Sequence, residues 1–304
     1  MIAGSNWSDP IFQQLVMVVM AFICLIGAVL FFVRKQSSHP QAGWASFKSW
    51  LVAAPILFLI FALPREWTAI LLTLVAIQGA KIFFQLTGMY HRTNFVIICY
   101  AGIMLQAWAG FYNHSTLYNL MPMLVLGVSS LVPLFRNSYK RMLQYTAITL
   151  INFIFLGWGV LHIIRILRWE NGPYIALYLI ILTEFCDNAN LILSRFGKIK
   201  VFSKVNPRRT LEGFLGALLF TLLLAWGLRH LLPNRSEVIW ITAGFVTAMG
   251  GGMGDLILTI YRRDLGGRAF GPFIIGRGDF LNLLDRLIFV APIFYYVVGG
   301  MLKV

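Results

Sequence analysis

The stretch Pro173-Tyr-Ile-Ala-Leu-Tyr-Leu-Ile-Ile-Leu-Thr183-Glu184-Phe-Cys186-Asp187-Asn188-Ala-Asn190-Leu-Ile-Leu-Ser194 carries two messages. It is apolar over a length that crosses a bilayer as one helix. Near its end, two carboxylates and two amides fall within seven residues. Glu184 and Asp187 stand at i,i+3 and share a helix face. Charged groups inside a span are costly, and by default they mark a functional site.

The rest of the chain agrees with a membrane setting. Apolar residues make up 59% of the 304 residues and charged residues only 12%. Mean hydropathy is +0.78. A soluble domain carries about 25% charged residues, so this composition excludes a soluble enzyme, a disordered chain and a secreted disulfide scaffold. Ten spans are expected, near 11–33, 49–64, 67–87, 94–112, 117–135, 144–167, 173–194, 213–232, 237–260 and 283–303. The second is short, so the count is nine to ten. The expected fold is all-α, a polytopic transmembrane helical bundle. The first span has no basic leader segment and does not read as a cleaved signal peptide.

Net charge is +14. In a membrane protein this reads as topology rather than nucleic-acid binding. With the N-terminus outside, alternate loops hold 17 Lys or Arg on the inner side against four on the outer. That bias places both termini externally. Cys24, Cys99 and Cys186 form no paired motif, and the five histidines are scattered. Neither set supports a disulfide framework or a zinc site.

Only three acidic residues precede position 184; the other eight begin with Glu184. The chain therefore divides into an N-terminal transmembrane scaffold, 1–172, and a C-terminal domain, 173–304, with a cytoplasm-facing site. The second part holds three further constellations. Residues 195–209 contain six basic groups and end in Asn206-Pro207-Arg208-Arg209-Thr210-Leu211-Glu212-Gly213. Guanidinium groups beside a helix start suit phosphate. Gly250-Gly251-Gly252-Met253-Gly254-Asp255 lets helices pack closely or a backbone approach a ligand. Residues 261–286 interleave Arg262, Arg263, Asp264, Arg268, Arg277, Asp279, Asn282, Asp285 and Arg286 with glycine. Carboxylates that converge with arginines suit a Mg²⁺–phosphate site. No paired inverted repeat is visible, which argues against a carrier.

These segments, in this order over residues 175–300, resemble the CDP-diacylglycerol synthase family, the CTP:phosphatidate cytidylyltransferases. Asn206–Gly213 is similar to the family's S-P-[KG]-K-T-x-E-G. Asp187 lies at the Asp of its N-D-x-x-Q-Y segment, and Gly254-Asp255 with Arg262-Arg263-Asp264 matches G-D-x(6)-K-R-D. The signature then departs: Arg268-Ala269 stands for K-D, Arg277-Gly278-Asp279 for H-G-G, and Asn282-Leu283-Leu284-Asp285 for D-R-x-D.

The resemblance implies transfer of CMP from CTP to a lipid phosphate such as phosphatidic acid, giving CDP-diacylglycerol and pyrophosphate. It implies catalytic roles for Asp255, Asp264 and Asp285, and Mg²⁺ or another divalent cation held by these with Asp279, a monovalent cation beside it being admissible. Asp187, Asn190, Arg208, Arg209, Thr210, Glu212, Arg262, Arg263 and Arg277 are the expected substrate-binding residues. Expected partners are CTP, the lipid phosphate and membrane lipids, with no nucleic acid; a homodimer is compatible. The expected location is the bacterial inner membrane. The alternative is a catalytically altered family member that binds nucleotide or anionic lipid, or acts as a subunit of a membrane complex.

Overall fold

The computed structural model describes residues 6–34, 41–137, 139–201, 204–233, 236–265 and 284–302, without the side chains of 26, 29–34, 41–47 and 49. Among these residues the chain is helical. The helices are α1 (Pro10–Arg34), α2 (Gln41–Ala62), α3 (Arg65–Leu86), α4 (Thr93–Phe111), α5 (Ser115–Phe135), α6 (Met142–Asn152), α7 (His162–Ile166), α8 (Gly172–Leu193), α9 (Leu211–Gly227), α10 (Glu237–Asp264) and α11 (Leu287–Leu302). Six segments are long and apolar enough to cross a membrane: α3, α4, α5, the run Met142–Ile166, α8 and α10. Apolar stretches of α1 and α2, with α9 and α11, are shorter. Each of the ten expected spans coincides with one of these elements, and the fold is a polytopic membrane helical bundle.

Three helices, α3, α4 and α5, are followed by a left-handed residue. Gly88 follows α3 at φ +68°, Asn113 follows α4 and Asn137 α5, while Asn171 takes the same region just before α8. Gly and Asn tolerate that region at little cost. Pro173 occupies the first turn of α8, where a missing N–H leaves no bond unmade.

Three expectations differ from the structure in detail. The second helix begins at Gln41 rather than 49 and runs through Lys48. The helix of the expected span 213–232, α9, ends at Gly227, followed by a 3₁₀ turn at Arg229–Leu231. The expected span 144–167 is not continuous: a π-helical segment, Phe153–Gly159, separates α6 from α7. Crowding accounts for the last. A Cβ on Gly159 would lie 2.6 Å from the Ile288 carbonyl oxygen, so the backbone here presses directly on α11.

Two compact units are described, one reaching Leu71 and one starting at Leu72. In the first, α1 and α2 pack through Phe12 and Phe58, whose rings meet edge to face at 6.3 Å. The Asn6 amide donates to the Phe61 carbonyl at 2.9 Å.

In the second unit α8 is the central helix. Its residues 172–180 and 182–184 are buried on every side. A helix apolar all round must sit inside others, and α8 contacts α9, α10, α11 and α7. Buried polar groups are tied across the unit, as hydrocarbon surroundings demand. Asn152 donates to the Ala80 carbonyl at 3.0 Å, and Tyr178 to the Ala225 carbonyl at 3.2 Å.

Candidate functional site

The polar end of α8 meets the loop before α9, the second half of α10 and the turn before α11. The central group is Asp187. One carboxylate oxygen pairs with Arg209 Nη2, and the other with Arg286 Nη2 at 2.6 Å. Arg286 Nη1 bonds Glu184 at 2.6 Å. Arg209 Nη2 also reaches Asp255 Oδ2 at 3.1 Å, and its Nη1 donates to the Asp187 carbonyl at 3.2 Å. The Asn206 amide lies 3.4 Å from the same Asp255 oxygen. A neighbouring pair joins Arg262 to Asp285, at 2.9 and 3.1 Å to its two oxygens.

Four carboxylates thus face three guanidinium groups, an excess of one negative charge. Buried charges persist only when paired and hydrogen-bonded. Burial alone disfavours the charge on Arg209, but Asp187 and Asp255 outweigh it and hold the guanidinium above its ordinary pKa. Arg209 therefore remains charged.

The loop that delivers Arg209 is built locally. Thr210 is the N-cap of α9, its hydroxyl accepting from Gly213 N–H at 3.2 Å. Ser194 Oγ accepts the Thr210 N–H at 3.2 Å and donates to Asn190 Oδ1 at 3.0 Å. The Glu212 carboxylate accepts the N–H groups of Lys198 and Ile199 at 3.0 and 3.1 Å. Asn190, Thr210 and Glu212 thus brace the loop.

Gly254 fixes the other side. A Cβ there would sit 2.6 Å from the Asp285 carbonyl oxygen and 3.1 Å from Arg286 Cα. Only glycine lets α10 approach the 285–286 backbone this closely, which brings Asp255 near Arg286.

A cavity of about 310 Å³ opens over this cluster, lined by α8, α9, α10, Arg209 and Arg286. It joins Asp187, Asn190, Arg209, Thr210 and Asp255 from the expected set. Arg262 and Asp285 form the adjacent pair. Arg208 and Asp264 are exposed, and Arg263 donates to the Lys204 carbonyl at 2.8 Å. Arg268, Ala269, Arg277, Asp279 and Asn282 lie outside the described residues.

Asp187 and Asp255 converge on the single nitrogen Arg209 Nη2. Among the described residues no three His, Cys, Asp or Glu side chains come together as a metal site. Mg²⁺ does not require three, since it usually binds through one or two carboxylates with phosphates and water. The oxygen donors of Asp187 and Asp255 fit that chemistry.

Two contributors carried no expected role. Arg286 is the hub of the cluster, and Glu184 is its partner from 102 residues away. Glu184 already stood out as an intramembrane carboxylate. The signal for Arg286 was the Asp285-Arg286 dipeptide. Matching Asn282-Leu283 to the signature's Asp-Arg leaves that arginine missing, yet Arg286 puts a guanidinium at Asp187 and Glu184 three residues later.

The comparisons with known proteins follow the same lines. A family model described as the cytidylyltransferase family matches residues 44–300. The chain is 26% identical over 276 residues to a phosphatidate cytidylyltransferase of Haemophilus influenzae, covering 81% of this chain and 94% of that one. It is 26% identical over 215 residues to a phosphatidate cytidylyltransferase of Staphylococcus aureus, covering 69% and 78%. It is 32% identical over 130 residues to an Escherichia coli K12 protein named as uncharacterized protein YnbB; that match covers 42% of this chain and 44% of the relative.

Proposed function

The chain belongs to the cytidylyltransferase family, and from that premise we propose that it transfers CMP from CTP to a lipid phosphate such as phosphatidic acid. A phosphate oxygen of the lipid attacks the α-phosphorus of CTP. The new P–O bond forms as the bond between the α-phosphorus and the bridging oxygen breaks. Pyrophosphate leaves with that electron pair, and the product is CDP-diacylglycerol or a related CDP-lipid.

The observation that carries this reading is the sharing of Asp187 between Arg209 and Arg286, beside Asp255, in one cavity. Positioning and charge neutralisation dominate phosphoryl transfer. Arg209 and Arg286 can exchange carboxylate for phosphate oxygens, because guanidinium binds both with the same fork. Asp187 and Asp255 would hold Mg²⁺, which would supply neutralisation of charge on the phosphates and on the leaving pyrophosphate. Glu184 keeps Arg286 oriented while its other edge turns to substrate. Arg262, paired with Asp285, and Arg208 and Arg263 at the rim extend the positive field to the triphosphate. The bias of basic residues between alternate loops supports a cytoplasmic side for this end, in the bacterial inner membrane.

The test is CDP-lipid formation by purified protein from CTP, phosphatidic acid and Mg²⁺ in detergent. Asp255→Asn is the control against contaminating synthase. Turnover by the wild type, lowered at least about 10²-fold in the variant, supports the reading; equal turnover in both overturns the role of Asp255, and no turnover in either overturns the reaction. A second reading, binding without turnover, has Ala269 and Asn282 in its favour. Activity gained only by Ala269→Asp with Asn282→Asp would select it.

A further inference from the structure

A second group of arginines stands where one end of α4, α5 and α6 meets. α4 and α6 begin there and α5 ends there, and each belongs to a segment long and apolar enough to cross a membrane. An arginine marks each limit: Arg92 before Thr93, Arg136 after Phe135 and Arg141 before Met142. Headgroup phosphates lie at that depth, just beyond the hydrocarbon core.

Two of these guanidinium groups are held in place, and what holds them is neutral. Arg92 lies 4.8 Å from the Tyr145 ring centroid, and its Nη2 donates to the Tyr145 hydroxyl at 3.1 Å. Arg136 Nη2 donates to Asn94 Oδ1 at 3.1 Å. The Tyr145 N–H bonds the Arg141 carbonyl at 3.1 Å, and the Phe95 ring packs on Tyr145 at 5.8 Å. The three positions are thereby tied into one corner. The sequence has no Asp or Glu between Glu66 and Glu170. Among the described residues none of the three arginines pairs with a carboxylate. Charge that only sets topology needs no such fixing. Here positive charge is fixed and left for an anion from outside, and guanidinium favours phosphate.

The surroundings say which anion. Leu134, Phe135, Tyr139 and Leu143, beside Arg136 and Arg141, are 73% to 86% exposed. A soluble anion would leave that apolar surface uncovered. A phospholipid covers it with its chains while its phosphate meets the arginines.

We infer that this corner binds an anionic phospholipid of the inner leaflet, with its headgroup phosphate at Arg92, Arg136 and Arg141. None of these residues lines the cavity over Asp187, so the lipid is a bound partner and not the acceptor. A net negative headgroup balances the cations, whereas a zwitterionic one brings its own ammonium to the same place. The site does not depend on CMP transfer.

Native mass spectrometry of the purified full chain tests it, by titration in detergent with dioleoyl phosphatidylglycerol or dioleoyl phosphatidylcholine. The wild type should hold phosphatidylglycerol at least about tenfold more tightly, the scale of one charged hydrogen bond. Arg136→Gln with Arg141→Gln, both at exposed positions, should abolish that preference. A wild type with no preference, or a double variant that keeps it, overturns the site. Thermal unfolding identifies the source of the anion. Phosphatidylglycerol should raise the melting temperature of the wild type and not that of the double variant. An equal rise with inorganic phosphate would put a free anion at the arginines and overturn the lipid assignment.

Discussion

Two arginines of the second unit, Arg165 buried and Arg286 mostly so, are held in opposite ways. Arg286 lies among carboxylates, 2.6 Å from both Glu184 and Asp187. Arg165 has no carboxylate partner among the described residues. It lies between aromatic faces, 4.8 Å from the Tyr118 ring centroid and 4.3 Å from that of Tyr295, and donates to Ser115 at 3.1 Å. Trp169 stacks on Tyr295 behind it at 5.4 Å. Both satisfy the demand that a buried cation be compensated. Only one can trade its partners: carboxylate oxygens can be exchanged for phosphate oxygens of like geometry, whereas an aromatic face offers no equivalent exchange. The first arrangement has the make-up of a phosphate-exchanging site, and the second of a cation–π staple.

Substitutions can break or sharpen that contrast. The largest effect is expected from Asp187→Ala, which leaves Arg209 and Arg286 buried without their shared anion. Breaking one partner of such a pair costs about 3–5 kcal/mol, so thermal unfolding of the detergent-solubilised protein should drop sharply and turnover should vanish. Gly254→Ala comes next. Its Cβ would press on the Asp285 carbonyl, and strain of about 1–3 kcal/mol should appear in unfolding together with a loss of turnover, since Asp285 and Arg286 must shift.

Arg165→Leu should cost about 1–2 kcal/mol of stability through two lost cation–π contacts, while CDP-lipid formation by the folded fraction is retained. Smallest is Glu212→Gln, which weakens the brace on the Lys198 and Ile199 amides. It should raise the KM for CTP while leaving the melting temperature almost unmoved. A loss of turnover in Arg165→Leu larger than in Gly254→Ala would reverse the assignment of the two clusters.

Much of the architecture was legible in the sequence because bilayer thickness imposes a length on apolar runs, and every expected span has its helix. The interruption at Phe153–Gly159 was not, since it answers to the approach of α11 more than a hundred residues on. The site was legible in its parts. Glu184 and Asp187 on one face, Arg209 beside a helix start, and Gly254-Asp255 all stood out, and the family resemblance built on them agrees with the match over 44–300.

What spacing could not reveal was who pairs with whom. Arg286 looked like one more charge at the edge of a span, because its value comes from Glu184 and Asp187 on another helix. Reading the signature without a gap put Leu283 where an arginine was sought. Gly252 and Gly254 looked alike in sequence, yet one lies against the Phe214 ring and the other packs on the 285–286 backbone. Only the rotation of α10 between its neighbours distinguishes them.

The most direct measurement is equilibrium binding of labelled CTP with Mg²⁺ to purified wild type, Arg209→Gln and Arg165→Gln. Binding should weaken at least about tenfold in Arg209→Gln, the scale of one lost charged hydrogen-bond pair, and match the wild type in Arg165→Gln. Wild-type affinity in Arg209→Gln, or an equal loss in Arg165→Gln, would contradict the placement of the nucleotide phosphates at the carboxylate-bound arginines.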